Sequence, residues 1–451
     1  MRKAAAGQLS RKRNIYTSRK EGVRFMPGIH RIRSAKLTIL SIIAALLWTM
    51  ASTSAGRADT WEVVKCPNKG SLNVWLLDVA TISATDAWAV GESWSSNGSN
   101  YASFVTRYNG KTWKTVNVPG VAGRQTYLHG VRAISASDIW AVGGSKDANG
   151  HTLIMHYNGS KWTVVSSPSP SSARDVDLLS VVAAAPNDIW TVGTWHSLNP
   201  SDRSKTLILH YDGSTWRIVA SPNPGQGNNY LLGVAALSTT TAIAVGGAWS
   251  YDNKSVKTTV LRWDGKTWKT APSPALPDRV EAEGPDRTNT GGFLTSSLLY
   301  EDLKGNKSYF VGGLSYSRSN ALVSTAKATT AAPKWKSVAC PAVSPYGSFI
   351  DGFASADGDN RVVGVGGAYA EAAGYRAVVE VFSPSGSTWK GAVSLDGLTG
   401  ITADTVLAAV SPWLSTPKSP KVASPTFWAV GHSRNSDGKY QTLILKGVLS
   451  D

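Results

Sequence analysis

The chain has 451 residues, 42% of them apolar and 17% charged, which excludes a disordered chain and allows several ordinary domains or one large repeat architecture. Its formal net charge of +16 is lopsided: residues 1–58 hold twelve Lys/Arg and one acid, Glu21, and residues 59–451 carry only +5. That remainder shows no clustered basic stripe, so nucleic acid is discounted as a partner, and 43 Gly with 18 Trp point to turns and strands rather than long helices.

Residues 1–58 read as an address. A basic stretch ends at Lys36, an apolar run fills residues 37–50, and Ala51-Ser52-Thr53-Ser54-Ala55 offers a small-residue cleavage site. Met26 is an alternative start that shortens the basic region. An uncleaved membrane anchor is the rival reading, because the run lies near the lower length limit for crossing a bilayer. In both cases residues 59–451 are expected outside the cell, secreted or in the cell envelope of a bacterium, with membrane contact only through an uncleaved N-terminal segment.

From there the chain repeats three phrases. The first is Ala87-Trp88-Ala89-Val90-Gly91, which returns as Ile139-Trp140-Ala141-Val142-Gly143 and Ile189-Trp190-Thr191-Val192-Gly193. Looser copies end at Gly246, Gly312, Gly366 and Gly431. The second is an aromatic, Asn/Asp-Gly, then Trp, as in Tyr108-Asn109-Gly110-Lys111-Thr112-Trp113, and it recurs at Tyr157–Trp162, Tyr211–Trp216 and Trp263–Trp268. Asn-Gly and Asp-Gly supply the positive φ of tight hairpin turns. The third precedes each glycine phrase, as in Leu76-Leu77-Asp78-Val79-Ala80 and Leu128-His129-Gly130-Val131-Arg132, and its small and branched residues fit a crowded strand.

Each unit therefore predicts four short strands: a (the small-residue phrase), b (ending in the glycine), c (ending in the aromatic) and d (opened by the tryptophan). Four strands repeated at this spacing predict an all-β, seven-bladed β-propeller. Trp61 precedes the first complete set, while the last set, ending at Leu443-Ile444-Leu445-Lys446, has no strand d after it. The expectation is closure by three strands from the C-terminal end and one from residues around Trp61, which removes an open sheet edge. Cys66 and Cys340 each follow a tryptophan by five residues, at equivalent places in the repeat; a disulfide between them stays open, and no Cys/His spacing suggests zinc.

The glycine pairs Gly143-Gly144, Gly246-Gly247, Gly312-Gly313 and Gly366-Gly367, with the later Tyr and Trp, resemble kelch-type propellers and the central domain of galactose-oxidase-like proteins. The resemblance covers nearly all of residues 60–447, implies the propeller fold and says little about function. Turns such as Asp212-Gly213-Ser214-Thr215-Trp216 are similar to sialidase-type Asp-boxes but lack a residue between Asp and Gly. A galactose-oxidase copper site would need a Tyr crosslinked to a cysteine, and no Tyr pairs with Cys66 or Cys340. The arginine cluster, Tyr nucleophile and acid of a sialidase find no assignable residues here.

In a propeller the d–a and b–c loops share one face, where ligands usually meet the ring. Three residues past each marker glycine stand Trp94, Lys146, His196, Trp249, Ser315, Tyr369 and Arg434, with Glu92, Trp195, Tyr251, Tyr316 and His432 beside them. Aromatic faces interspersed with polar groups suit sugar rings, so Trp94, Lys146, Trp195, His196, Trp249, Tyr369 and Arg434 are the expected ligand-binding residues. The competing reading is local packing of these tryptophans against neighbouring blades. A charged insertion at 272–291 falls on the same face; a Pro/Ser/Lys-rich one at 411–425 falls on the other.

No catalytic residue is singled out. Glu92 and Glu371 are the available carboxylates, His196 and His432 lie on different blades, and no G-x-S-x-G, P-loop or Rossmann pattern occurs. The expected function is a monomeric, non-catalytic binding or scaffold protein with a glycan or cell-surface protein as partner and no cofactor, calcium or another channel metal being left open. The alternatives are a glycan-active hydrolase, lyase or oxidase on the same scaffold, and a protein–protein interaction platform.

Overall fold

A computed structural model describes residues 59–450 except 147–148, 200, 253–254, 275–289, 303, 316–320, 331, 339, 341–343, 345–347, 357–360, 371–373, 384–387, 394, 396–397, 399–403 and 413–424. Residues 1–58, expected from the sequence to be an address, lie outside the described residues, as do the interiors of both insertions, Tyr316 and Glu371.

The described residues form 28 strands and no helix. The first strand is β1 (Thr60–Val63). Blade 1 is β2 (Asn73–Ser83), β3 (Asp86–Trp94), β4 (Ala102–Tyr108) and β5 (Trp113–Thr115). Blade 2 is β6 (Thr126–Ser135), β7 (Asp138–Ser145), β8 (Thr152–Tyr157) and β9 (Trp162–Val165). Blade 3 is β10 (Ala173–Ala185), β11 (Asp188–Ser197), β12 (Lys205–Tyr211) and β13 (Trp216–Val219). Blade 4 is β14 (Asn229–Ser238), β15 (Thr241–Trp249), β16 (Ser255–Trp263) and β17 (Trp268–Ala271). Blade 5 is β18 (Thr290–Glu301), β19 (Lys307–Ser315), β20 (Leu322–Lys327) and β21 (Lys336–Val338). Blade 6 is β22 (Ser348–Ser355), β23 (Val362–Ala370), β24 (Gly374–Ser383) and β25 (Thr388–Val393). Blade 7 takes β26 (Val406–Pro412), β27 (Thr426–Arg434) and β28 (Tyr440–Val448) from the C-terminal end and β1 as its outer strand.

Pairing within every blade is antiparallel, and the innermost strands touch in succession around a closed ring. The closure follows the expected scheme: β1 runs antiparallel to β28 with Trp61 opposite Gly447. The Tyr440 amide donates to Asn73 Oδ1 at 3.0 Å and the Thr81 amide to Ser411 Oγ at 3.1 Å, tying blade 7 to blade 1. Blades 4 and 5 are also joined by a short parallel pairing, Ser255 with Thr290 and Val256 with Gly291.

The marker glycines have a steric cause. Strand a bulges one residue after its Leu or Ile, and the carbonyl just before that residue drops onto strand b. A Cβ on Gly91, Gly143, Gly193, Gly246, Gly313, Gly366 or Gly431 would lie 1.8 to 2.0 Å from that oxygen. This corrects the marker of blade 5 from Gly312 to Gly313, which pairs with Leu294 at the bulge. Gly312 lacks a side chain for another reason: the Phe353 ring of blade 6 fills the space.

Three residues before the marker stands the aromatic that clamps adjacent blades. Trp428, Trp88, Trp140 and Trp190 each pack between the last aromatic of strand c and the first tryptophan of strand d in the next blade, as Trp190 does with Trp263 at 4.8 Å and Trp268 at 5.3 Å. With Gly313 as the marker, Phe310 takes this place in blade 5 and meets Phe382 at 5.3 Å. The hairpin turns hold as the repeat predicts: Asp212 Oδ1 accepts from the Ser214 and Thr215 amides, and Gly213 takes φ +91° against Asn187 of the a–b turn. Cys66 and Cys340 lie in different blade interfaces, against the cores of blades 7–1 and 5–6, and are not joined; burial pushes the Cys66 thiol up to about 12.

Candidate binding face

The topology gives the ring two faces. The lower one carries the a–b and c–d turns, the upper one the b–c and d–a loops. On the upper face the structure builds two aromatic clusters.

The first spans blades 7, 1 and 2. Trp75, on strand a of blade 1, stacks on His432 of blade 7 at 4.6 Å and turns its edge to Trp94 at 4.9 Å. Trp94 lies nearly parallel to Tyr101 at 5.7 Å and reaches Tyr440 at 6.2 Å. The Lys146 ammonium sits over the Tyr101 ring and 5.8 Å from that of Tyr127. Arg434 lies over Tyr440 at 5.8 Å, donates to the Gly438 carbonyl at 3.0 Å and reaches Asp404 at 3.9 Å. Burial, reinforced by Asp404, raises the Tyr440 hydroxyl above its ordinary value. Thus three of the expected residues, Trp94, Lys146 and Arg434, belong to one cluster.

The second spans blades 3, 4 and 5. His196 approaches Tyr230 at 6.5 Å, Tyr230 meets Phe293 at 6.1 Å, and Phe293 meets Trp249 at 5.4 Å. Trp195 packs against the core between blades 2 and 3, with the Lys205 ammonium over its ring at 5.2 Å. Tyr251, 68% exposed, carries the Arg203 guanidinium at 5.1 Å. Tyr369 stands apart in blade 6, against Tyr375 at 5.6 Å. Ser315 is buried at the end of β19; counted from the corrected marker, the third residue is Tyr316, which lies outside the described residues.

What links the clusters was missed in the sequence. The residue before the strand-a Leu or Ile is aromatic in five blades: Trp75, Tyr127, Tyr230, Phe293 and Phe349. In blade 3 it is Asp177, buried, which accepts a short hydrogen bond from the Tyr127 hydroxyl. Burial raises the Tyr230 hydroxyl above its ordinary value, and the Asp177 charge adds to the shift. The signal was present as an aromatic-Leu/Ile dipeptide at one repeat position, but strand a reads as core until the bulge gives its direction.

Below this band, Asp78 at the blade 1 bulge accepts from the Val79 and Val131 amides, both at 2.8 Å. Desolvation pushes its carboxyl up to about 7, against the pull of those amides and of Arg132. His156 and His210 belong to the lower half: each meets the Asp that opens strand b at 2.9 Å and stacks on that strand's tryptophan. No three His, Cys, Asp or Glu converge on a metal site among the described residues.

No family model matches the chain, and no curated protein matches its sequence. Solved structures do match it. A protein of unknown function from Dyadobacter fermentans is 12% identical, with a TM-score of 0.50 over 88% of this chain and 99% of that one. YCF48 bound to a D1 peptide is 13% identical, with a TM-score of 0.47 over 89% and 100% of the two chains. A Trypanosoma rangeli sialidase is 10% identical, with a TM-score of 0.46 over 87% of this chain and 57% of that one. At such identities the likeness is one of fold.

Proposed function

We propose that this protein is an exported, non-catalytic binding protein whose upper face takes a carbohydrate or cell-surface ligand. The observation that supports the reading is the run of aromatic rings from Tyr440 through Trp75, Trp94 and Tyr101, resumed at Tyr230, Phe293 and Trp249. Rings edged by Lys146, His196 and Arg434 offer C–H contacts and hydrogen bonds side by side, as sugar rings require. Export rests on residues 1–58. Kinship with kelch-type repeats belongs to the same proposal and rests on the glycine pairs.

The test is a glycan-array screen of the purified protein, with and without EDTA, beside a Trp94→Ala/Trp249→Ala variant. Saturable binding that the variant loses is expected; binding that survives both substitutions places the ligand elsewhere. A second reading, a protein partner, draws on Leu198 and Tyr251, 50% and 68% exposed on the same face. Capture of a defined partner that Leu198→Asp abolishes, with an empty array, would favour it.

A further inference from the structure

One repeat position carries an Arg, His or Lys in five blades. It is the strand-c residue that pairs with the residue three before the marker glycine: Arg107 with Trp88, His156 with Trp140, His210 with Trp190, Arg262 with Ile243 and Lys446 with Trp428. Blades 5 and 6 place Thr325 and Val381 there. Four of the five basic residues meet a carboxylate of their own blade. Asp86, Asp138 and Asp188, each opening strand b, hold Arg107 at 2.8 Å, His156 at 2.9 Å and His210 at 2.9 Å. Glu62 of the outer strand holds Lys446 at 3.5 Å.

Blade 4 keeps the cation and lacks both acids. Its strand b opens on Thr241, paired with Ser238 as Asp86 is with Ser83. The strand-d residue opposite Arg262 is Lys269, where blade 7 has Glu62 opposite Lys446. Lys269 itself pairs with Asp264 at 2.7 Å, and no described carboxylate lies within ion-pair distance of Arg262. Arg262 is half-buried, and its Nε is shielded from solvent without a hydrogen-bond partner. In blade 1 the same atom of Arg107 donates to Asp86 at 2.8 Å.

Blade 5 answers across the seam with a second donor. At the position held elsewhere by Ala87, Ile139, Ile189, Ala242, Val362 and Phe427 it carries Tyr309, which shares one core with Ile243. Tyr309 is 1% exposed, and its hydroxyl has no partner. Burial pushes that hydroxyl up and the Arg262 charge pulls it down, which marks the two groups as neighbours. A guanidinium Nε–H and a phenol O–H shielded without acceptors cost free energy that an acceptor between them would recover.

We propose that the lower rim of the seam between blades 4 and 5 is a binding site for a small carboxylic acid anion. Its carboxylate sits side-on on Arg262, where blades 1 to 3 place their own aspartate, and accepts a further hydrogen bond from Tyr309. A guanidinium fork matches two carboxylate oxygens, and shielding from water strengthens the pair. Because Nε and the phenol are shielded, the anion enters as the Arg262 side chain swings outward. The site lies at the opposite end of the strands from the upper face and does not depend on the carbohydrate reading.

The test follows the Arg262 Nε–H signal of the purified protein by heteronuclear NMR, assigned by its loss in Arg262→Gln. Acetate is the probe and chloride, at equal ionic strength, the control. Acetate should shift the signal saturably. Thr241→Asp supplies the aspartate from within: the signal should move before acetate is added, and acetate affinity should fall about tenfold. Tyr309→Phe should weaken acetate severalfold without lowering the unfolding midpoint, because it deletes a hydroxyl that has no partner. A shift that does not saturate, or a Thr241→Asp variant that binds acetate as the parent does, overturns the site. Chloride that saturates the signal as readily overturns the carboxylate in favour of a general anion site. The glycan array should read the same for Arg262→Gln and its parent, so either reading can fail without the other.

Discussion

On the lower face, blades 2 and 3 carry the same arrangement in the same geometry: Asp138 with His156 and Asp188 with His210, both at 2.9 Å, each imidazole stacked on its blade's tryptophan. Blade 1 substitutes Arg107, bidentate on Asp86, over Trp88. On the upper face the equivalent positions hold Trp94, Lys146 and His196, three residues with nothing in common. One strand pair, followed from one end to the other, passes from a repeated structural device to individual chemistry. What repeats within the chain builds the ring, and what fails to repeat is free to recognise something.

The contrast can be broken at several points. Trp190→Ala empties a fully buried clamp and should cost about 3–5 kcal/mol in denaturant unfolding. Trp94→Ala, partly exposed on the other face, should cost about 1 kcal/mol. Equal losses would mean that the upper aromatics are as structural as the lower ones.

Glu380 tests the interior between the faces. Its carboxyl is buried with no hydrogen-bond partner among the described residues, and burial pushes it up to about 7. Between the ordinary value of 4.5 and about 7, the unfolded chain is ionised while the folded one keeps its proton. Stability should thus fall by about 3 kcal/mol as pH rises through that window, and Glu380→Gln should flatten the curve. Asp212 on the lower face runs the other way. The Thr215 amide, the Ser214 hydroxyl and amide, and Arg217 hold its carboxyl below the ordinary range. Its contribution is present above the unfolded-state value and is lost as pH falls through the folded one. Unfolding midpoints of Glu380→Gln and Asp212→Asn, measured across pH, separate the two.

Gly193→Ala places a Cβ against the Asp177 carbonyl and should cost about 1–3 kcal/mol, read as a lowered unfolding midpoint. The smallest effect is expected from Lys205→Gln: stability unchanged within about 0.5 kcal/mol, because the side chain meets only a ring and solvent. A larger loss would make the cation on Trp195 a structural element.

The repeat made most of the fold legible. The Asn/Asp-Gly turns, the strand-d tryptophans and the orphan strand at Trp61 are local signals, and each fell where the phrases put it. Blade 5 did not, because two adjacent glycines are empty for different reasons: a carbonyl at Gly313 and a neighbouring blade's ring at Gly312. The aromatic clusters of the upper face were only half legible. Counting past the glycine pointed to Trp94 and Trp249 with polar neighbours, but not to Trp75, Tyr127 and Tyr230, which join them in the clusters and lie in a phrase that looks like core.

By itself, then, the sequence determined the number of blades, the order of their strands and the way the ring closes, because hairpin turns and glycine contacts act over a few residues. Which upper-face residues meet was decided only by the tertiary structure. His432 and Trp75 are at opposite ends of the chain, and it is ring closure that stacks them at 4.6 Å. Lys146 comes to Tyr101 because strand a of blade 2 lies against blade 1. Contacts between blades depend on how the sheets pack, and no short phrase carries that.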